Sequence, residues 1–165
     1  MTVTTIRRPD PARSSAPSRA PRRVPGPVLV TSLGLSLLGL AISTYLTYEH
    51  YSASTTLACP ETGAINCVKV TTSTYSTFLG VPVALLGLLF FVAMTGLSLP
   101  AAWQSANPWL RRARTSAACG GVAFVLYLVW AELFRIDAIC LWCTAVHVVT
   151  VLLFAVVLLG EAGSD

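Results

Sequence analysis

Residues 139–159 read ICLWCTAVHVVTVLLFAVVLL, twenty-one positions without one Asp, Glu, Lys or Arg. A bilayer core about 30 Å thick is spanned by about 20 helical residues. This run therefore predicts a transmembrane helix, and its first five residues place a C-x-x-C motif, Cys140-Leu141-Trp142-Cys143, at the helix entry. Three more runs of similar length precede it, at residues 28–48, 79–99 and 115–134. The predicted fold is an all-α integral membrane protein, a four-transmembrane-helix bundle over residues 28–160. A long loop, residues 49–78, joins the first two helices.

Composition agrees. Of the 165 residues, 55% are hydrophobic and 11% charged, against roughly one-quarter charged in soluble domains. The net charge of +4 is not a nucleic-acid signal, because six of the eleven basic residues (Arg7, Arg8, Arg13, Arg19, Arg22 and Arg23) precede the first apolar run. Residues 1–27, rich in Arg, Pro and Ser, hold too little apolar surface to fold alone and are expected to be a disordered tail. Arg111, Arg112 and Arg114 sit between the second and third runs, whereas the long loop carries only Lys69. Basic loops remain on the cytoplasmic side. The expected protein is multi-pass in the cell membrane, with both termini (residues 161–165 at the far end) and the middle loop cytoplasmic. The long loop and the short turn at residues 135–137 then face outward. The first run is too long for the apolar core of a cleaved signal peptide and lacks a small-x-small site directly after it.

On this map four of the five cysteines share the outer face: Cys59 and Cys67 in the loop, Cys140 and Cys143 at the last helix. Disulfides persist outside the cytoplasm, so an even outward set reads as disulfide chemistry before metal binding. Cysteines at i and i+3 share a helix face, and the N-terminal end of the dipole favours a thiolate at Cys140. Cys143, one turn deeper, lies where a membrane-dissolved carrier can reach it. Cys59 and Cys67 flank Pro60 and Gly63, in a segment expected to move. Loop pair and helix pair together form a relay between water and lipid by successive thiol exchange. Two structural disulfides, or a four-cysteine zinc site, are the competing readings. Cys119, among Ala117, Ala118, Gly120 and Gly121, reads as close helix packing.

The stretch from Cys67 to Gly87, CVKVTTSTYSTFLGVPVALLG, resembles the vitamin K epoxide reductase family, in which a loop cysteine precedes a Ser, an aromatic residue and a Gly-x-Pro helix entry. The Cys59/Cys67 and Cys140/Cys143 pairs match as well, and the resemblance covers about residues 28–159. It implies a quinone-dependent thiol oxidoreductase supporting disulfide formation in exported proteins. The acceptor would be a quinone of the menaquinone, ubiquinone or vitamin K type, with no metal. No thioredoxin-like domain follows the fourth run, so the expected partner is a separate secreted thioredoxin-fold (DsbA-like) protein. Cys59 would form the mixed disulfide, Cys67 would exchange with Cys140, and Cys143 would face the quinone. Ser73 matches the family's hydroxyl beside the redox centre. Val83 and His147 occupy places where some members put an Asn and a Tyr against the quinone, and Tyr75 is a further lining candidate alongside Trp142 and Tyr127. His147 follows Cys143 by four residues, on the same helix face. Reduction of vitamin K epoxide itself and a non-enzymatic scaffold remain alternatives. Glu132, Arg135 and Asp137 read as an interfacial salt network at the outer mouth.

Overall fold

The computed structural model describes residues 24–52, 59 and 62–163. The expected tail at residues 1–27 therefore lies outside the described residues up to 23, and its last two residues already belong to the first helix. That helix, α1 (Gly26–Ser52), begins where the Pro25 carbonyl accepts from Val28 N–H at 3.0 Å. It is followed by α2 (Cys67–Thr71), a 3₁₀ turn (Thr74–Ser76) and a two-stranded hairpin of β1 (Thr77–Phe78) with β2 (Val81–Pro82). Then come α3 (Val83–Ser98), α4 (Pro100–Gln104), α5 (Pro108–Ala131), a π turn (Glu132–Ile136) and α6 (Leu141–Ala162).

Three stretches, Gly26–Ser52, Pro108–Ile136 and Leu141–Ala162, are long and apolar enough to cross a membrane. The fourth, α3, has 16 residues and extends about 24 Å at 1.5 Å per residue. The run at residues 79–99 is shorter as a helix because its first residues make the hairpin. Leu79 and Gly80 have φ of 52° and 81°, the pair of positive values that a two-residue type I′ turn demands. Gly80 meets that demand without strain, whereas Leu79 is held in a conformation rare for its type. Helical structure starts only after Pro82, which cannot donate within the first turn.

The region between α3 and α5 is also more ordered than a loop. Pro100 opens α4 at its first turn, and the Asn107 side chain caps α5 by accepting Trp109 N–H at 3.0 Å. At the other terminus α6 continues past residue 160, so Glu161 is helical; residues 164 and 165 lie outside the described set.

A face of small residues brings α1 against α3 and α6. Ser32, Ser36, Gly39 and Ser43, spaced by four, three and four, are the buried residues of α1 along with Leu46. Small residues let helix axes approach where lipid supplies no hydrophobic drive. Ser36 Oγ lies 3.2 Å from Ser98 Oγ of α3, and a Cβ at Gly39 would collide with the Phe91 ring. Phe91, Met94, Trp103, Leu153 and Val157 complete the core. Leu38, Leu126, Val148, Leu152 and Leu159 point outward. Helices apolar on both faces suit a bundle immersed in lipid. Cys119 is exposed, contrary to the expectation that it packs between helices. Ala118, one residue and about 100° earlier on the helix, takes the inward place.

Candidate redox site

The cysteine-bearing segments meet at one end of the bundle. Cys140 is the residue before α6, and its sulfur accepts the Cys143 N–H at 3.2 Å, so this side chain serves as the helix N-cap. Cap positions suit side chains that accept hydrogen bonds from otherwise unpaired amides. The long loop docks on this entry by its backbone. Ile65 bridges Ile139 in parallel, Asn66 N–H donates to Ile139 O at 3.1 Å, and Ile139 N–H donates to Ala64 O at 2.9 Å. Lys69 Nζ adds a bond to Asp137 O at 3.2 Å. Asn66 in turn caps α2, its side chain accepting Lys69 N–H at 2.7 Å.

Cys67, the first residue of α2, is thereby buried in one cluster with Cys140, Val70, Ile136 and Ala138. Cys59, Tyr75, Trp142 and Cys143 pack against that cluster. Cys67 is thus held by a capped helix and a docked backbone. Cys59 and Cys67 are joined in a disulfide, while Cys140 and Cys143 are free thiols. Cys67 and Cys140 are fully buried, whereas Cys59 is partly exposed. The Cys140 thiol is held below the ordinary range, first by the hydrogen bond from the Cys143 thiol and further by the backbone amides of Cys143 and Trp142. Burial and the Glu132 carboxylate oppose that shift. A thiolate here is the attacking form in disulfide exchange.

Beneath the cluster, between α1, α3, α5 and α6, lies a cavity of about 670 Å³. Its walls are mainly apolar, with Leu86, Phe90, Phe124 and Leu128 among them, and a few polar groups converge at the cysteine end. Small-molecule and cofactor sites have this character and fall within roughly 300–1,000 Å³. Cys143, His147, Tyr75 and Val83 all line it. His147 is buried on α6 one turn below Cys143. The Tyr75 hydroxyl accepts from Arg135 Nε at 2.8 Å, which fixes the ring at the cavity rim. Val83 supplies only apolar wall. Ser73 is not among the lining residues: its hydroxyl donates to Val70 O at 2.8 Å, closing the turn after α2. Trp142 packs on Tyr45 with ring centroids 5.0 Å apart, and Tyr127 stacks with Phe124 and Trp130, so neither lines the cavity.

Among the described residues the expected salt network of Glu132, Arg135 and Asp137 does not form. Arg135 donates to Tyr75, and Asp137 contributes its carbonyl to Lys69 and adopts φ 51° to end the π turn. Glu132 turns inward instead. It is 6% exposed, lines the cavity beside Cys143, and faces the Cys140 amide with its carboxylate. Sequence reasoning placed Glu132 in a salt network rather than in the cavity wall, and it did not single out Ser43 of α1, which also lines the cavity. The signal available was a lone acid at the end of an apolar run. Among the described residues no group of three or more His, Cys, Asp or Glu is placed to hold a metal.

A disulfide-bearing loop, a docked dithiol and an apolar cavity under it form one continuous arrangement. A model of the vitamin K epoxide reductase family matches residues 30–158. The chain therefore belongs to the vitamin K epoxide reductase family, membrane oxidoreductases that couple thiols to quinones.

Proposed function

We propose that this protein oxidises the dithiol of a secreted thioredoxin-fold partner and passes the electrons to a membrane quinone, supporting disulfide formation in exported proteins. The observation that carries the reading is the position of Cys140 and Cys143. They stand between a loop disulfide on one side and an apolar cavity on the other.

A partner thiolate attacks Cys59, the partly exposed sulfur, and Cys67 leaves as thiolate. The partner's second thiol then resolves the mixed disulfide, leaving an oxidised partner and a reduced loop pair. Cys67 next attacks Cys140 of an oxidised helix pair, releasing Cys143, and Cys59 closes on Cys67. This restores the loop disulfide and leaves two thiols at α6, the arrangement described above. A bound quinone accepts two electrons and two protons from those thiols. The cavity walls bind its ring and exclude water, His147 donates a hydrogen bond to a ring oxygen, and Tyr75 with its Arg135 partner borders the head group. Ser73 serves the site by shaping the turn that carries Tyr75.

In the membrane, α3 crosses as the fourth span, with the hairpin and α4 taking up headgroup depth at either end. The arginines of α5 and both termini lie in the cytoplasm. The test uses purified full-length protein in detergent with a reduced DsbA-like protein and a short-chain ubiquinone or menadione. Quinol formation is expected and is abolished by Cys143→Ala. Absence of cysteine-dependent quinone reduction overturns the reading, and turnover of a quinone epoxide as sole acceptor moves the assignment to epoxide reduction.

A further inference from the structure

Reducing a quinone with two thiols moves two protons as well as two electrons, and the cavity is walled mainly by groups that carry no proton. From the placement of its carboxyl group, we propose that Glu132 is the proton-transfer residue of the Cys140–Cys143 dithiol, an inference that rests on the quinone reading above.

Three observations converge on this carboxyl. Glu132 lines the cavity together with Cys143 and His147. It faces the Cys140 backbone amide and acts electrostatically on the Cys140 sulfur. It also opens a five-residue π turn, Glu132–Ile136, between α5 and α6. Such turns are rare in helices and recur at functional sites. An ionisable side chain within a membrane-spanning stretch is costly and is a functional candidate by default. Among the described residues no ion pair offsets it, since Arg135 and Lys69 are engaged with Tyr75 and the Asp137 carbonyl.

The balance is simple. The dithiol gives two electrons and two protons, its sulfurs join in a disulfide, and the quinone becomes a quinol. Glu132 takes a thiol proton as the sulfur is oxidised and returns it toward the ring oxygen. The carboxyl is unchanged over the cycle. Other titratable groups border the same end: Glu49 and His50 from α1, Tyr75 from the 3₁₀ turn, Lys69 from α2, and His147 from α6. Glu132 is the one that combines cavity lining with contact at the Cys140 amide.

The experiment compares wild type, Glu132→Gln and Glu132→Asp in full-length protein carrying Cys119→Ser, which removes the exposed thiol of α5 that does not line the cavity. Turnover with menadione is recorded across pH, and the rate of dithiol alkylation is recorded separately. General acid–base groups contribute typically 10²–10⁴-fold, so Glu132→Gln is expected to slow quinol formation about 100-fold and to remove one limb of the pH profile. Glu132→Asp restores part of the rate. The same Gln substitution removes a negative charge near Cys140, so alkylation becomes faster at a given pH. Glu132→Asp keeps the charge and is expected to alkylate near the wild-type rate, whereas a merely distorted site exposes the buried Cys140 and speeds alkylation in both variants. Wild-type turnover and pH profile in Glu132→Gln overturn the proposal, as does an unchanged alkylation profile. If wild type itself forms no quinol, the functional reading fails, and the alkylation arm still judges the placement of Glu132 against the dithiol.

Discussion

Glu161→Ala is expected to destabilise the bundle by about 3 kcal/mol, and the structure says why. Arg114, in the first turns of α5, is 1% exposed and ion-paired with Glu161 of the last turn of α6. Each charge sits at the unfavourable end of its own helix dipole, a cation near an N-terminus and an anion near a C-terminus. The two stabilise each other. Arg111 reaches the same carboxylate at 4.0 Å but is half exposed, so its share is within about 1 kcal/mol. Removing one partner of a buried pair costs roughly 3–5 kcal/mol. Arg114 keeps the Leu97 carbonyl at 3.1 Å and the Trp103 ring 3.4 Å from its guanidinium carbon, and these retained contacts place the expectation at the lower end. About 3 kcal/mol is on the order of 100-fold in the folding equilibrium. The assay is reversible unfolding in mixed micelles followed by far-ultraviolet circular dichroism. The double variant Arg114→Met/Glu161→Leu, which leaves no buried charge behind, is expected to recover to within about 1 kcal/mol of wild type. A loss below about 1 kcal/mol for Glu161→Ala, or a double variant as unstable as the single, would refute the reasoning.

Two further outcomes probe the cysteine end. Asn66→Ala removes the α2 cap and is expected to cost about 1 kcal/mol locally; reduction of the Cys59–Cys67 disulfide by a small dithiol should then quicken several-fold, and an unchanged rate would show that the cap does not hold Cys67. Cys143→Ala removes the thiol whose hydrogen bond chiefly lowers Cys140, so alkylation of Cys140 in the Cys119→Ser background should require a higher pH. A midpoint that stays or falls would mean that the backbone amides alone stabilise the thiolate.

Much of the fold was legible because a bilayer fixes segment length, and runs of about 20 apolar residues need no tertiary information to be recognised. The start of α3 was not, since a Leu at φ 52° is chosen by the hairpin against its own preference. Cys119 was misread because composition reports small neighbours without phase: on a helix Ala118 and Cys119 face different ways. The C-x-x-C pair was readable from local spacing, and the loop pair from parity and resemblance. Glu132 was opaque for a different reason. An acid closing an apolar run ordinarily turns to the interface, and only the π turn after it, with the docked loop above, makes an inward carboxyl intelligible. Ser73 shows the converse, a hydroxyl matched by motif whose hydrogen bond closes a backbone turn.

The capping role of Cys140 links the redox state to the first turn of α6. As an acceptor for the Cys143 amide and thiol, its sulfur is best served when it carries negative charge at the positive end of the helix. Forming a disulfide with Cys143 removes that charge and that donor together, so the cap is strongest in the reduced state. On the proposed relay, reduced Cys140 is stabilised where exchange with Cys67 ends, and an acceptor in the cavity drives oxidation of the pair. The loop docks through the backbone bonds from Asn66 N–H to Ile139 O and from Ile139 N–H to Ala64 O, neither of which involves a sulfur. On the proposed relay, this docking holds Cys67 in the cluster with Cys140, and the relative stability of the two disulfides sets the direction of electron flow.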